Sequence, residues 1–180
     1  MPDDSRAALA RRIYEMAHIT GEFTLRSGAK SHEYFDKYLF EAEPKLLKDI
    51  AEAMTPLVPP GIEALAGLEM GGIPLATMLS QLTGLPVLFV RKKAKEYGTC
   101  KIAEGGAVRR RRLLIVEDVV TLGGAILDAA RALREEGAEL GNVVCVIDRE
   151  SGGPANLAKV NLTLKPLFTM SELKRAAGAG

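Results

Sequence analysis

From Ile62 onward the chain alternates short apolar runs with helical patterns, and nothing else in it constrains the fold as strongly. Residues 62–66, 87–90, 113–116 and 143–147 are near-continuous runs of apolar residues, while 73–82 and 124–136 carry helical patterns. Strands that are apolar on both sides are buried on both faces. That calls for an α/β fold, a parallel sheet with helices on both faces. In such sheets ligands bind beyond the carboxyl ends of the strands. The loops after Ala66, Val90, Val116 and Ile147 are therefore the places to look for chemistry.

Ahead of this core, Ser5 can cap a helix to about Ala17, with Leu9, Ile13, Met16 and Ala17 on one face. Residues 20–30 read as a polar loop and 33–40 as a strand rich in Tyr and Phe. Pro44 suits the first turn of a helix ending near Pro56. The expected organisation is one domain over 1–180: an N-terminal elaboration over 1–60, the core over 61–150, and a C-terminal strand and helix over 151–180. A chain of 180 residues can bury roughly 70% of its unfolded surface without disulfides or structural metal.

Charge and composition exclude several classes. Twenty-four basic against 23 acidic residues leave a net charge of +1, so no overall field favours nucleic acid or a membrane surface. The 21 uncharged residues from Met70 to Val90 are broken by Gly71, Gly72, Pro74, Gly84 and Pro86, which fits a short helix and a strand better than a membrane span. Two histidines (His18, His32) supply zinc or a His-based triad poorly. Cys100 and Cys145, in no ligand spacing, fit a reducing compartment, so a soluble cytoplasmic protein is expected.

The most informative segment is 113–133. A four-residue apolar strand delivers Glu117 and Asp118, and Thr121, Gly123 and Gly124 then lead into a helix from about Ala125. Glycines at a strand-to-helix turn let backbone N–H groups approach a phosphate, whose charge the helix dipole favours. Two acids beside a phosphate would repel it unless sugar hydroxyls or a divalent cation are bound there too. This segment resembles the phosphoribosyltransferase signature: four apolar residues, two acids, two apolar residues, then Thr and small residues. The resemblance implies binding of 5-phosphoribosyl 1-pyrophosphate with Mg²⁺, the ion held mainly by the substrate, with no direct protein ligand and Asp118 reaching it through water. Glu117 and Asp118 would hold the ribose hydroxyls and stabilise positive charge developing on the sugar. The loop Thr121, Leu122, Gly123, Gly124, Ala125 would hold the 5-phosphate. Leu122 and Ala125 lack hydroxyls that many members carry, which leaves more of that binding to backbone amides.

Three further segments share the resemblance. VRKKAKEYGT, 90–99, is similar to the mobile catalytic loop of the orotate phosphoribosyltransferases. It lies in a stretch, 91–112, with nine basic residues against two acids. The resemblance implies that Arg91, Lys92 and Lys95 gather the departing pyrophosphate, with Tyr97 where many members have His. It also implies a homodimer with shared active sites. GLEMGGIPLA, 67–76, places Gly71 and Gly72 at a helix start, where the family contacts pyrophosphate and several members carry Lys at position 71. FTLRSGAKSHEYFD, 23–36, resembles the element that sets orotate enzymes apart. It implies Arg26, Ser27 and Lys30 around a planar acidic base, with Tyr34 and Phe35 packing nearby. Arg149, at the end of a strand, can bind a carboxylate bidentately and would read the base.

The implied activity is Mg²⁺-dependent transfer of phosphoribosyl to orotate, giving orotidine 5′-monophosphate and pyrophosphate in pyrimidine biosynthesis. Neither nucleic acid nor membrane is an expected partner. Two other readings stay open: the same chemistry on another nucleobase, and a non-catalytic sensor of the sugar pyrophosphate.

Overall fold

The computed structural model describes residues 3–24, 28, 30–93 and 101–179. Helix α1 (Asp3–Ala17) runs into a hairpin of β1 (His18–Thr24) and β2 (Lys30–Phe35), followed by α2 (Lys37–Ala42) and α3 (Pro44–Met54). The core comprises β3 (Ala64–Leu68), α4 (Gly72–Thr83), β4 (Val87–Val90), β5 (Ala103–Glu104), β6 (Arg112–Val120), α5 (Gly124–Glu135) and β7 (Glu139–Asp148). Then follow α6 (Gly153–Ala158), β8 (Thr163–Thr169) and α7 (Met170–Ala176).

The six-stranded sheet has the order β5-β4-β3-β6-β7-β8. It is parallel throughout except at its edge, where β5 pairs antiparallel with β4. Successive residues of β3, β6 and β7 alternate between two apolar clusters. Leu65, Leu114, Val144 and Val146 pack under α1, α3, α4 and α7. Ala64, Ala66, Leu113, Ile115, Val143 and Cys145 pack under α5. Each strand is therefore buried on both faces, which is why its sequence is apolar without interruption.

The expected helices over 73–82 and 124–136 are present, and the uncharged stretch 70–90 divides into α4 and β4. Among the described residues no helix is long and apolar enough to cross a membrane.

Four expectations need correction. The polar segment expected as a loop over 20–30 is mostly strand, because β1 pairs antiparallel with β2 from His18↔Phe35 to Thr24↔Lys30. The strand expected over 33–40 stops at Phe35, because the Asp36 side chain accepts a hydrogen bond from Tyr38 N at 3.1 Å and starts α2. Glu43 then ends α2 and caps α3, accepting from the amides of Lys45 and Leu46, with Pro44 in the first turn. Strand β6 continues to Val120, so Glu117 and Asp118 lie within it and not in the loop beyond. The C-terminal region holds two helices around β8, not one.

Candidate active site

The acid pair sits on β6, flanked by β3 and β7, at the centre of the sheet. Both side chains are buried, Asp118 completely. Asp118 N donates to Glu117 Oε1 at 3.0 Å, and Val119 N donates to Asp118 Oδ1. Two residues of α2 reach the same point. Lys37 Nζ lies 2.6 Å from Asp118 Oδ2, and Glu41 is buried beside it. Burial, then the Asp118 charge, pushes Glu117 well above the usual carboxyl range. Burial, then the hydrogen bond with Asp118, pushes Glu41 up to about 9. Burial would also raise Asp118, but hydrogen bonds from Glu117, Glu41 and Lys37 outweigh it and hold Asp118 below its usual value. Of the three carboxyls, Asp118 is thus the one whose charged form the surroundings favour.

The start of α4 is fitted closely to this pair. A β-carbon on Gly71 would overlap Asp118 Oδ2 and stand 2.9 Å from Glu41 Oε1. One on Gly72 would run into the Val116 carbonyl oxygen. Only glycine lets α4 come this near to β6 at both positions. The Glu69–Met70 peptide ahead of the helix is cis.

Beyond the acid pair, the loop from Thr121 turns into α5 through Gly123, whose φ of 80° favours glycine. No side chain caps α5 or α4 among the described residues, which leaves the first amides of α5 available to an anion. In α4, Ile73 N already donates to Met70 O at 3.4 Å and Pro74 has no N–H. A pocket of about 60 Å³ lies against the α5 turn, lined by Glu117, Thr121, Gly123, Gly124 and Ala125 among others. Leu122 is more than half exposed, and its carbonyl accepts from Asn156 Nδ2 at 3.1 Å.

A larger cavity of about 640 Å³ adjoins this one and shares Val119 and Thr121 with it. Tyr34, Phe35, Lys37, Thr121, Arg149 and Lys174 contribute to its walls. Phe35 leans on Tyr14, with ring centroids 6.2 Å apart, and Tyr34 on Phe23 at 5.5 Å. His18 Nε2 and Glu33 Oε2 meet at 2.8 Å on the same wall. Arg149 is exposed at the end of β7, its amide donating to Val120 O at 2.8 Å. A cavity with aromatic walls, an exposed guanidinium and an adjoining phosphate-sized pocket suits a flat anionic ring joined to a sugar phosphate.

The structure thus brings together Tyr34, Phe35, Gly71, Gly72, Glu117, Asp118, Thr121, Gly123, Gly124, Ala125 and Arg149. Three expected residues lie apart from the cavity walls. Lys30 Nζ donates to Thr24 Oγ1 across the hairpin at 3.1 Å. Arg91 is drawn to Glu104, 3.9 Å away, at the antiparallel edge. Lys92 is exposed, its amide donating to Glu69 Oε1 at 2.6 Å. Arg26, Ser27, Lys95 and Tyr97 lie outside the described residues.

Lys37, Glu41 and Lys174 escaped the sequence reading. A Lys and a Glu four apart are one helical turn apart, a signal that assigning 33–40 to a strand concealed.

Among the described residues no three His, Cys, Asp or Glu side chains are grouped to hold a metal ion by themselves. The donors present, Asp118 with Glu117 and Glu41 behind it, are carboxylate oxygens. They fit a hard divalent cation bound through one carboxylate and the substrate's own phosphates.

Comparison with known proteins defines the class. The family model described as phosphoribosyl transferase domain matches residues 40–168, and the chain belongs to that family. Its relatives narrow the branch to the orotate phosphoribosyltransferases. The orotate phosphoribosyltransferase of Nocardioides sp. is 56% identical over 174 residues, 97% of each chain. That of Methanocella arvoryzae is 44% identical over 85% of this chain and 87% of its own. Among solved structures, the Mycobacterium tuberculosis orotate phosphoribosyltransferase in complex with Fe(III) dicitrate superposes with a TM-score of 0.85 at 29% identity, covering 93% of this chain and 98% of that one. The same enzyme in complex with 5-phospho-α-D-ribosyl 1-diphosphate gives a TM-score of 0.80 at 26% identity, with the same coverage.

Proposed function

We propose that the chain transfers the phosphoribosyl group of 5-phosphoribosyl 1-pyrophosphate to orotate. The supporting observation is the continuity of three features along one sheet edge. These are the uncapped turn of α5, the buried acid pair, and the aromatic-walled cavity with Arg149.

In this reading the 5-phosphate lies against the amides from Thr121 to Ala125. Asp118 accepts from the ribose hydroxyls, and Glu117, in its neutral form, adds a short-range partner. Gly71 and Gly72 expose the backbone at the start of α4 to the pyrophosphate. Arg149 pairs with the carboxylate of orotate, and Phe35 and Tyr34 bound the ring. N1 of orotate, after giving its proton to solvent, attacks the anomeric carbon as the bond to pyrophosphate breaks, with inversion, and the pyrophosphate leaves with the electron pair. The Asp118 charge stabilises the cation-like sugar at that moment. Mg²⁺, held by Asp118 and the substrate phosphates, would offset charge on the leaving pyrophosphate. Orotate's ring nitrogen is already acidic, so positioning and electrostatics supply most of the rate. The resemblance also assigns Lys92 and Lys95 to pyrophosphate departure and pairs two chains in a homodimer.

The test is to mix protein, orotate, the sugar pyrophosphate and Mg²⁺ and follow loss of orotate absorbance, with uracil, hypoxanthine and adenine in parallel. Consumption of orotate alone, with pyrophosphate released, is expected. Reaction of another base in its place, or of none, overturns the reading.

A further inference from the structure

The reaction as assigned needs one charged carboxylate, Asp118, aimed at the sugar, yet that side chain is wholly buried and borders two other carboxyls. A buried carboxylate needs a partner that fixes its direction. Among the described residues, a cation from α2 supplies one. Lys37 Nζ stands 2.6 Å from Asp118 Oδ2, and its side chain, one third exposed, lines the large cavity beside Thr121 and Arg149. Glu41 is also buried, its Oε1 bordering the same side-chain position at Gly71 as Asp118 Oδ2. Both side chains come from α2, whose start is fixed by the Asp36 cap. The empty side-chain position at Gly71 leaves room for the arrangement.

We propose that Lys37 is a positioning residue for Asp118, holding its carboxylate from the cavity side so that it faces the ribose before substrate arrives. This deepens the reading above and rests on it. Lys37 acts through Asp118, so its contribution vanishes when Asp118 has no charge to hold.

The experiment is a double-mutant cycle read as the dissociation constant of 5-phosphoribosyl 1-pyrophosphate by calorimetry at saturating Mg²⁺, with wild type, Lys37→Met, Asp118→Asn and the double variant. Groups in one network couple by about tenfold. Lys37→Met should weaken binding by about that factor, and in the Asp118→Asn background it should add nothing. Lys37→Arg, which keeps the charge, should recover part of the affinity and show the same dependence on Asp118. Unchanged affinity in Lys37→Met, or effects that multiply in the double variant, would overturn the proposal. So would failure of both Lys37 variants to fold, since the pair would then be a structural support. Absence of binding by the wild type would instead refute the phosphoribosyltransferase reading itself, and this proposal with it.

Discussion

Asp118 Oδ2 occupies the space in which a side chain at Gly71 would begin. The glycine is therefore required by a residue 47 positions further along the chain, at the meeting of α4 and β6. Gly71→Ala should push the carboxylate out of line. We expect kcat/KM to fall by about 10²–10³, the usual loss when a preorganised electrostatic contact is removed. Asp118→Asn should give a loss of similar size. Steady-state kinetics on both variants, with circular dichroism to confirm folding, checks this.

Arg149 is an exposed cation on the cavity wall, and a guanidinium matches a carboxylate with two parallel N–H bonds. Arg149→Ala should raise the KM for orotate by about 10- to 100-fold, as expected for a lost charged hydrogen bond. The KM for the sugar pyrophosphate should change little. Arg149→Lys should recover only a small part, because an ammonium cannot reproduce the fork. Unchanged orotate KM in both variants would remove Arg149 from base recognition.

Glu172 closes a capping box at the start of α7, accepting from Thr169 N at 2.6 Å, and pairs with Arg6 at 3.1 Å. Burial would raise its carboxyl, but the Thr169 amide and Arg6 prevail and hold it below the usual range. A carboxyl lowered by folding stabilises the fold above its unfolded pKa, and that contribution is lost as pH falls through its folded value. Glu172→Ala should therefore lower stability by about 1 kcal/mol at pH 7, the usual worth of a cap. The difference from wild type should shrink below about pH 4. Urea unfolding at pH 7 and pH 3.5 measures both.

Cys145 is buried in β7, and burial, then the nearby Asp148 charge, pushes its thiol well above the ordinary value. In a Cys100→Ser background the folded protein should not react with a thiol-specific disulfide reagent, and should react with one equivalent on unfolding. Rapid labelling of the native variant would contradict the burial.

The core was legible because its strands are buried on both faces and so have uninterrupted apolar sequences, as β3 and β6 do. The phosphate turn was legible because Gly123 must adopt a positive φ. The N-terminal elaboration was less so. Strand β1, HITGEFT, is mostly exposed and contains Gly21, so neither apolar runs nor alternation mark it. Its pairing with β2 is a tertiary outcome. The helix α2 was hidden by aromatic residues that favour strands, and only the Asp36 cap announced it. Assigning residues 37–40 to a strand hid Lys37 and its helical relation to Glu41, whose importance depends on a partner 77 and more positions away. Lys174 gave no local signal at all, since only the packing of α7 against α1 brings it to the cavity.

That packing fastens the two ends of the chain. Arg6 of α1 reaches Leu167 O at 2.6 Å and lies over the Phe168 ring, while Tyr14 of α1 and Lys174 of α7 wall the same cavity. The α5 turn and the acid pair therefore lie on elements that precede α7 in the chain, whereas the large cavity needs α7 as one of its walls. Without α7 docked on α1 the cavity stays open on that side.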